Sequence, residues 1–331
     1  MNSTEEDTCT KFTAIYNDYI EKTIASISLL LNTLCLIAFA QIVRCTKQDI
    51  YKYLLYKSFI DILISLRFTL KSVFNCTDCQ LETSYAIKVF YIIFFIYVDY
   101  ALELLTMLCE VVACFNRYRF VTKTWEFFEK FSYKFVLLTI TIFSFLFYVY
   151  LFFDRQINSI TKSKNETIVT YFSIQQNSLG TTTIVLGYVH SVMRNVLCVA
   201  FIFIVNVLTL CSVKRVLDKK KLLVNVTSGV KNAKILSKAE RAELRLTFMV
   251  LLTNLVIVVA YGMSFVKWLN IKAVDQSKCF VTINYIIYLM SFVLNFFIYY
   301  YFNLSFKKFL KFSTKSRKEA TNALRIYSVC R

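Results

Sequence analysis

Long runs of apolar residues, each closed by a short polar or basic stretch, follow one another along the chain. Seven segments stand out, at roughly 20–43, 53–74, 84–116, 134–153, 188–213, 244–269 and 279–302. A bilayer core needs ~20 apolar residues per helix, and each segment is long enough. Runs such as IIFFIYV (92–98) and VLLTITIFSFLFYVYLFF (136–153) lack the alternating polar face that a soluble helix keeps toward water. After the seventh run, Phe306, Phe309 and Leu310 alternate with Lys307, Lys308 and Lys311, the pattern of a helix lying in the headgroup plane. The chain is thus expected to be an all-α membrane protein: a seven-transmembrane helix bundle with a short amphipathic eighth helix. Residues 1–19 would form an extracellular N-terminus, 20–302 the bundle, and 303–331 the amphipathic helix and cytosolic tail.

Composition supports this division. The chain is 57% hydrophobic, 17% aromatic and only 18% charged, with four Gly and no Pro, so no linker between soluble domains is visible. A net charge of +18 could suggest a nucleic-acid partner, but its distribution argues against one. With the N-terminus outside, the cytosolic segments hold 26 Lys/Arg and the outer segments 10. That is the positive-inside bias, so the charge follows topology, and the expected partner is the lipid bilayer. The chain is expected in the plasma membrane as a multi-pass protein. Its start, MNSTEEDTCTKF, has no apolar signal-peptide core, so the first span would act as the insertion signal.

Of eleven Cys, Cys9, Cys76, Cys79 and Cys279 fall in outer segments, where disulfides persist. Four Cys allow three pairings, and Cys9–Cys279 with Cys76–Cys79 is favoured. The other seven fall in spans or cytosolic segments and are expected as thiols. Sequons at Asn2, Asn75 and Asn165 are glycosylation candidates. Two more, at Asn225 and Asn303, fall inside and should stay unmodified.

The third apolar segment carries an unusual load. Asp99, Glu103, Thr106, Glu110 and Arg117 are spaced 4, 3, 4 and 7 residues apart, which places them on one stripe of a helix. A charge facing lipid costs roughly 2.5–3.5 kcal/mol on insertion scales, so the stripe must face the bundle interior. Arg67 and Arg194 lie at depths comparable to Asp99 and Glu103. Two arginines and two acids can neutralise one another as a buried network. Two alternatives stay open: a cationic ligand at Asp99, and an anionic or neutral one held by Arg194 or Arg67. Glu103, Tyr261 and Tyr288 complete the candidate ligand wall. His190 is expected to be structural.

The end of the seventh segment, LNFFIYYYFNLSFKKFLKF (294–312), resembles that of rhodopsin-like G-protein-coupled receptors, where Asn-Pro-x-x-Tyr closes helix 7 and a basic amphipathic helix follows. Asn295 and Tyr299 match, with Phe296 in place of the proline. Asn32 matches the helix 1 asparagine and Asp61 the helix 2 aspartate. FNRYRFV matches the Asp/Glu-Arg-Tyr motif, with Arg117 and Tyr118 kept and Asn116 replacing the acid. The departures are as plain. There is no Pro to kink helices 5, 6 and 7, AYGMSF (260–265) replaces the helix 6 Cys-Trp-x-Pro, and Ile92 stands where a helix 3 Cys is expected. Such a pattern is similar to a fast-diverging, invertebrate chemoreceptor-like branch.

The resemblance implies roles. Arg117, with Asn116, Tyr118 and Tyr299, would serve coupling to a heterotrimeric G protein. Glu240 or Glu243 would pair with Arg117 at rest, and loss of the neighbouring acid implies a weaker lock with measurable basal activity. Asn32, Asp61, Thr106, Ser291 and Asn295 match a polar network that holds an allosteric sodium ion; a water-filled network without an ion is the alternative. No other metal or cofactor is expected. Asp99 stands where amine receptors hold their ligand's ammonium. Glu110 has no counterpart role.

The expected function is therefore a receptor for an extracellular small molecule or peptide that activates a G protein inside. The alternative is an ion-conducting or transporting protein using the acidic stripe, against which stand the lack of internal repeats and helix breakers. No enzyme constellation is present: a single His, no HExxH and no phosphate loop. The seventh segment offers no Lys for a retinal Schiff base.

Overall fold

The computed structural model describes residues 11–13, 15–46, 48–74, 84–123, 131–152, 155–164, 167–176, 181–227, 238–268 and 278–314. Within them run seven long helices and one short one. A π-helical turn, Tyr16–Ile20, leads into α1, Glu21–Cys45. Then come α2, Asp49–Phe74; α3, Tyr85–Thr122; α4, Tyr133–Phe152; α5, Thr181–Thr227; α6, Lys238–Trp268; α7, Lys278–Phe302; and α8, Leu304–Thr314.

Six of these helices are long and apolar enough to cross a membrane. Among the seven long helices the exception is α2, whose most apolar stretch holds Lys57, Asp61 and Arg67. All three are nonetheless buried, at 3%, 1% and 7% exposure. The helix carries these charges inward, where each finds an opposite charge. Outward faces are apolar: Leu30, Leu138, Leu146, Leu197 and Phe203 are all exposed.

The stripe on α3 faces inward as its spacing requires. Asp99, Thr106, Glu110 and Arg117 are buried in a helix packed against α2, α4, α5 and α6. The two larger of three apolar cores flank it. One gathers Ile64, Phe68, Leu105, Ile202, Ile257 and Leu289, the other Phe39, Leu54, Met249, Val250, Tyr299 and Phe306.

With no Pro in the chain, the helices deviate from α geometry by another route. Ile92–Val98 in α3 and Met193–Cys198 in α5 are π-helical. A π segment adds a residue per turn and is a recognised source of helix bending.

The all-α expectation is corrected in one place. Arg155–Lys164 (β1) and Thr167–Gln176 (β2) form an antiparallel hairpin, in register from Arg155 opposite Gln176 to Lys164 opposite Thr167. The β-branched and aromatic run TIVTYFSI was the available signal. The basic stretch KRVLDKKK (214–221) continues α5 as helix.

The α7–α8 corner is held by Asn303. Its side-chain oxygen accepts from the backbone N–H groups of Ser305 and Phe306, each at 3.1 Å, as a helix N-cap. Phe306, fully buried, then packs on Phe39 (ring centroids 5.4 Å) and Tyr299 (6.1 Å). Asn303→Ala is expected to weaken α8 by about 1 kcal/mol. Hydrogen exchange at the Phe306 amide checks this: it should speed up roughly fivefold while mid-α7 amides stay unchanged.

Candidate functional site

Three clusters of buried charge lie along α3, one near each end and one in the middle. In the outer cluster, Arg67 Nε of α2 stands 2.8 Å from Asp99 Oδ1. One helical turn further in, Arg194 pairs with Glu103. Arg194 comes from the π-helical part of α5 and also donates to Asn195 Oδ1 at 3.1 Å. Its guanidinium lies 5.7 Å from the Tyr261 ring. Tyr261 meets Tyr288 edge-on at 5.7 Å, and Tyr288 meets Phe292 in the same way at 5.0 Å. The ligand-wall residues expected from sequence thus do converge, and the two arginines cancel the two acids. His190, buried, packs edge-on against Tyr100 and Tyr148, at 5.5 and 4.9 Å.

In the middle cluster, Lys57 Nζ lies 2.7 Å from Asp61 Oδ2 and 3.3 Å from Glu110 Oε1. All three side chains are at most 3% exposed. Around them Asn32 donates to Ser28 O at 3.0 Å and Ser28 Oγ at 3.1 Å, and Ser28 meets Ser65 at 2.8 Å. Ser65 in turn donates to Asp61 O, and Ser291 donates to Tyr288 O at 2.6 Å. Asn32 Oδ1, Thr106 Oγ1 and Asn295 Oδ1 are buried without a hydrogen-bond partner in the protein. The expected oxygen donors are therefore present, but a fixed cation is already among them. With the Lys57 ammonium on Asp61, this donor set does not fit a sodium ion. Among the described residues no group of three or more His, Cys, Asp or Glu side chains could hold a metal.

At the inner end, Arg117 Nη1 and Nη2 each donate to Glu243 Oε2 of α6 at 3.2 Å. Gln48, at the head of α2, donates to the other oxygen of Glu243. Of the two expected partners for Arg117, the structure selects Glu243. Tyr299 is buried beside Phe39 and Phe306, at the α7–α8 corner. Tyr118 is half-buried. Asn116 is not part of this cluster. It lines a cavity of about 790 Å³ with Asp49, Tyr53, Arg119, Phe135 and Phe201. One residue along a helix turns ~100°, so Asn116 looks away when Arg117 faces α6.

Sequence reasoning passed over two elements. One is Lys57, for which the i, i+4 spacing to Asp61 is the usable signal. Asn206 and Asn254 were not singled out. Asn206 Oδ1 accepts from Asn254 Nδ2 at 3.0 Å and from Cys114 Sγ at 3.1 Å, which ties α3, α5 and α6 together. An Asn deep within each of two apolar runs was the sign.

Cys35, Cys109, Cys114, Cys198 and Cys211 are free thiols, as expected. Cys9, Cys76 and Cys79 lie outside the described residues, as do the sequons at Asn2, Asn75 and Asn165.

In sequence, no family model and no curated protein matches the chain. In structure, the chain is similar to the crystal structure of squid rhodopsin, with a TM-score of 0.58 over 89% of this chain and 84% of that one. The fold is rhodopsin-like. At 15% identity the likeness is one of architecture, and it sets the three clusters within a rhodopsin-like bundle.

Proposed function

We propose that the protein is a G-protein-coupled receptor of divergent, chemoreceptor-like type. It binds an extracellular ligand in the outer half of the bundle and activates a heterotrimeric G protein at the inner end. The observation that carries this reading is the Arg117–Glu243 pair. It ties the inner ends of α3 and α6 in a rhodopsin-like fold, where an outward movement of α6 would free the arginine. In this reading α2 is the seventh membrane span, α8 lies on the inner leaflet, and the N-terminus is outside at the plasma membrane. Glycans at Asn2, Asn75 and Asn165 and a Cys9–Cys279 disulfide belong to the same topology.

The outer cluster narrows the ligand. An ammonium ligand at Asp99 would have to displace the Arg67 guanidinium, and an anionic ligand would have to displace a carboxylate from Arg194. Both exchanges cost a buried ion pair, so a neutral ligand held by Tyr261 and Tyr288 fits best. Pairing of Asp99, Glu103 and Glu110 with basic side chains also speaks against an ion path along α3.

The test is basal nucleotide exchange on a panel of G proteins, using membranes that carry wild type or Arg117→Ala at equal expression. Wild-type exchange above that of empty membranes, lost with Arg117→Ala, is the expected result. No Arg117-dependent exchange on any G protein, even with Glu243 also replaced by Gln, would count against coupling.

A further inference from the structure

We propose that Lys57 is the built-in cation of the mid-bundle site, taking the place at Asp61 that a sodium ion would otherwise fill, so that the bundle is indifferent to sodium. Lys57 and Asp61 are one helical turn apart on α2, which brings ammonium and carboxylate onto one face. The ammonium sits 2.7 Å from Asp61 Oδ2 and 3.3 Å from Glu110 Oε1 on α3. All three side chains are sealed from solvent, at 2–3% exposure, so bulk salt does not screen the contact.

This assignment accounts for Glu110, the one acid of the stripe for which the resemblance offers no role. An ammonium has three donors and needs acceptors in more than one direction. Asp61, on the same helix, supplies one, and Glu110, on the neighbouring helix, supplies the second. The lysine therefore bridges α2 and α3 as a bound ion would, but it is covalently attached and cannot dissociate. A hard cation placed beside it would meet a like charge in a medium of low dielectric constant. It would also have to compete with a tethered group that is present at very high effective concentration. The remaining oxygens, Asn32 Oδ1, Asp61 Oδ1, Thr106 Oγ1 and Asn295 Oδ1, lack protein donors, and buried oxygens of this kind are sites for water.

The proposal does not depend on G-protein coupling, and its test reads stability. The full chain, purified in detergent, is unfolded thermally in sodium chloride and in choline chloride at matched ionic strength. Wild type is expected to give one midpoint in both salts at every concentration. Lys57→Met is expected to unfold at lower temperature and to recover roughly 5 °C at sodium a hundredfold above its dissociation constant. Methylammonium, which restores the missing head group, should act in the same way. Adding Asp61→Asn to Lys57→Met should abolish both responses.

Two results would overturn the proposal. One is a saturable sodium shift in wild type that Asp61→Asn removes, since sodium would then bind with Lys57 in place. The other is a folded Lys57→Met protein that responds to neither cation. If Lys57→Met yields no folded protein, the wild-type titration alone decides, because it needs no variant.

Discussion

Arg194→Met is expected to destabilise the protein by about 3–5 kcal/mol, because it strands the Glu103 carboxylate inside the bundle without its ion-pair partner. Arg194 and Glu103 are only 14% and 15% exposed, so little water is available to take over. The loss should appear as a fall of roughly 10 °C in the thermal midpoint of the purified protein. Glu103→Gln alone should cost less, since a neutral amide does not demand a counter-charge, although Arg194 then lacks its partner. The informative variant is the double one. Arg194→Met with Glu103→Leu removes both charges together, and replacing a buried pair by apolar groups is often neutral or better. Recovery in the double variant to within about 1 kcal/mol of wild type would assign the effect to the stranded charge. If Arg194→Met alone left the midpoint unchanged, the pair would have no structural role. Arg194 would then be better regarded as held in reserve for an anionic ligand.

Glu243→Gln is expected to raise basal nucleotide exchange. Arg117 is 4% exposed and Glu243 29%, so the pair is screened on the acid's side. Discounting a charged hydrogen bond for that exposure leaves about 1 kcal/mol, or roughly fivefold in the ratio of active to resting receptor. The same assay with Asn116→Asp tests whether loss of the neighbouring acid loosens the lock. Because Asn116 lines the α3–α4 cavity rather than facing Glu243, its effect should be the smaller of the two. A Glu243→Gln receptor whose exchange stays at the wild-type level would show that the contact does not hold the resting state.

Much of this architecture was legible in the chain, because a bilayer imposes a strong length rule and a strong polarity rule. The spacing of Asp99, Glu103, Thr106, Glu110 and Arg117 sufficed to turn α3 inward. Comparable depth allowed its two outer acids to pair with Arg67 and Arg194 but left two ligand readings open, and the structure shows the pairs. The partner of Arg117 was narrowed to two residues that lie nearly one turn apart on α6, a choice that only the rotation of that helix could settle. Lys57 was harder to place. A lysine in a span can snorkel to the headgroups or turn inward, and which it does depends on whether an acid waits on another helix. The β-hairpin was missed for a different reason. Its strands pair only with each other, so they carry weaker patterning than a strand in a larger sheet. The π-helical segments have no sequence signature at all: IIFFIYV and MRNVLC would serve equally well as α-helix.

Those segments have a consequence for how the chain can change in length. Deleting one residue from an ordinary membrane helix rotates everything beyond the cut by about 100°, which would carry a stripe such as that of α3 out of the bundle. A π-helical turn already holds one residue more than an α-turn needs. A deletion within Ile92–Val98 or Met193–Cys198 can therefore be absorbed by tightening that turn to α geometry. Asp99 on one side and the outer end of α3 on the other would keep their facing. Single-residue gaps in related chains should accordingly concentrate in these two stretches rather than elsewhere in the spans.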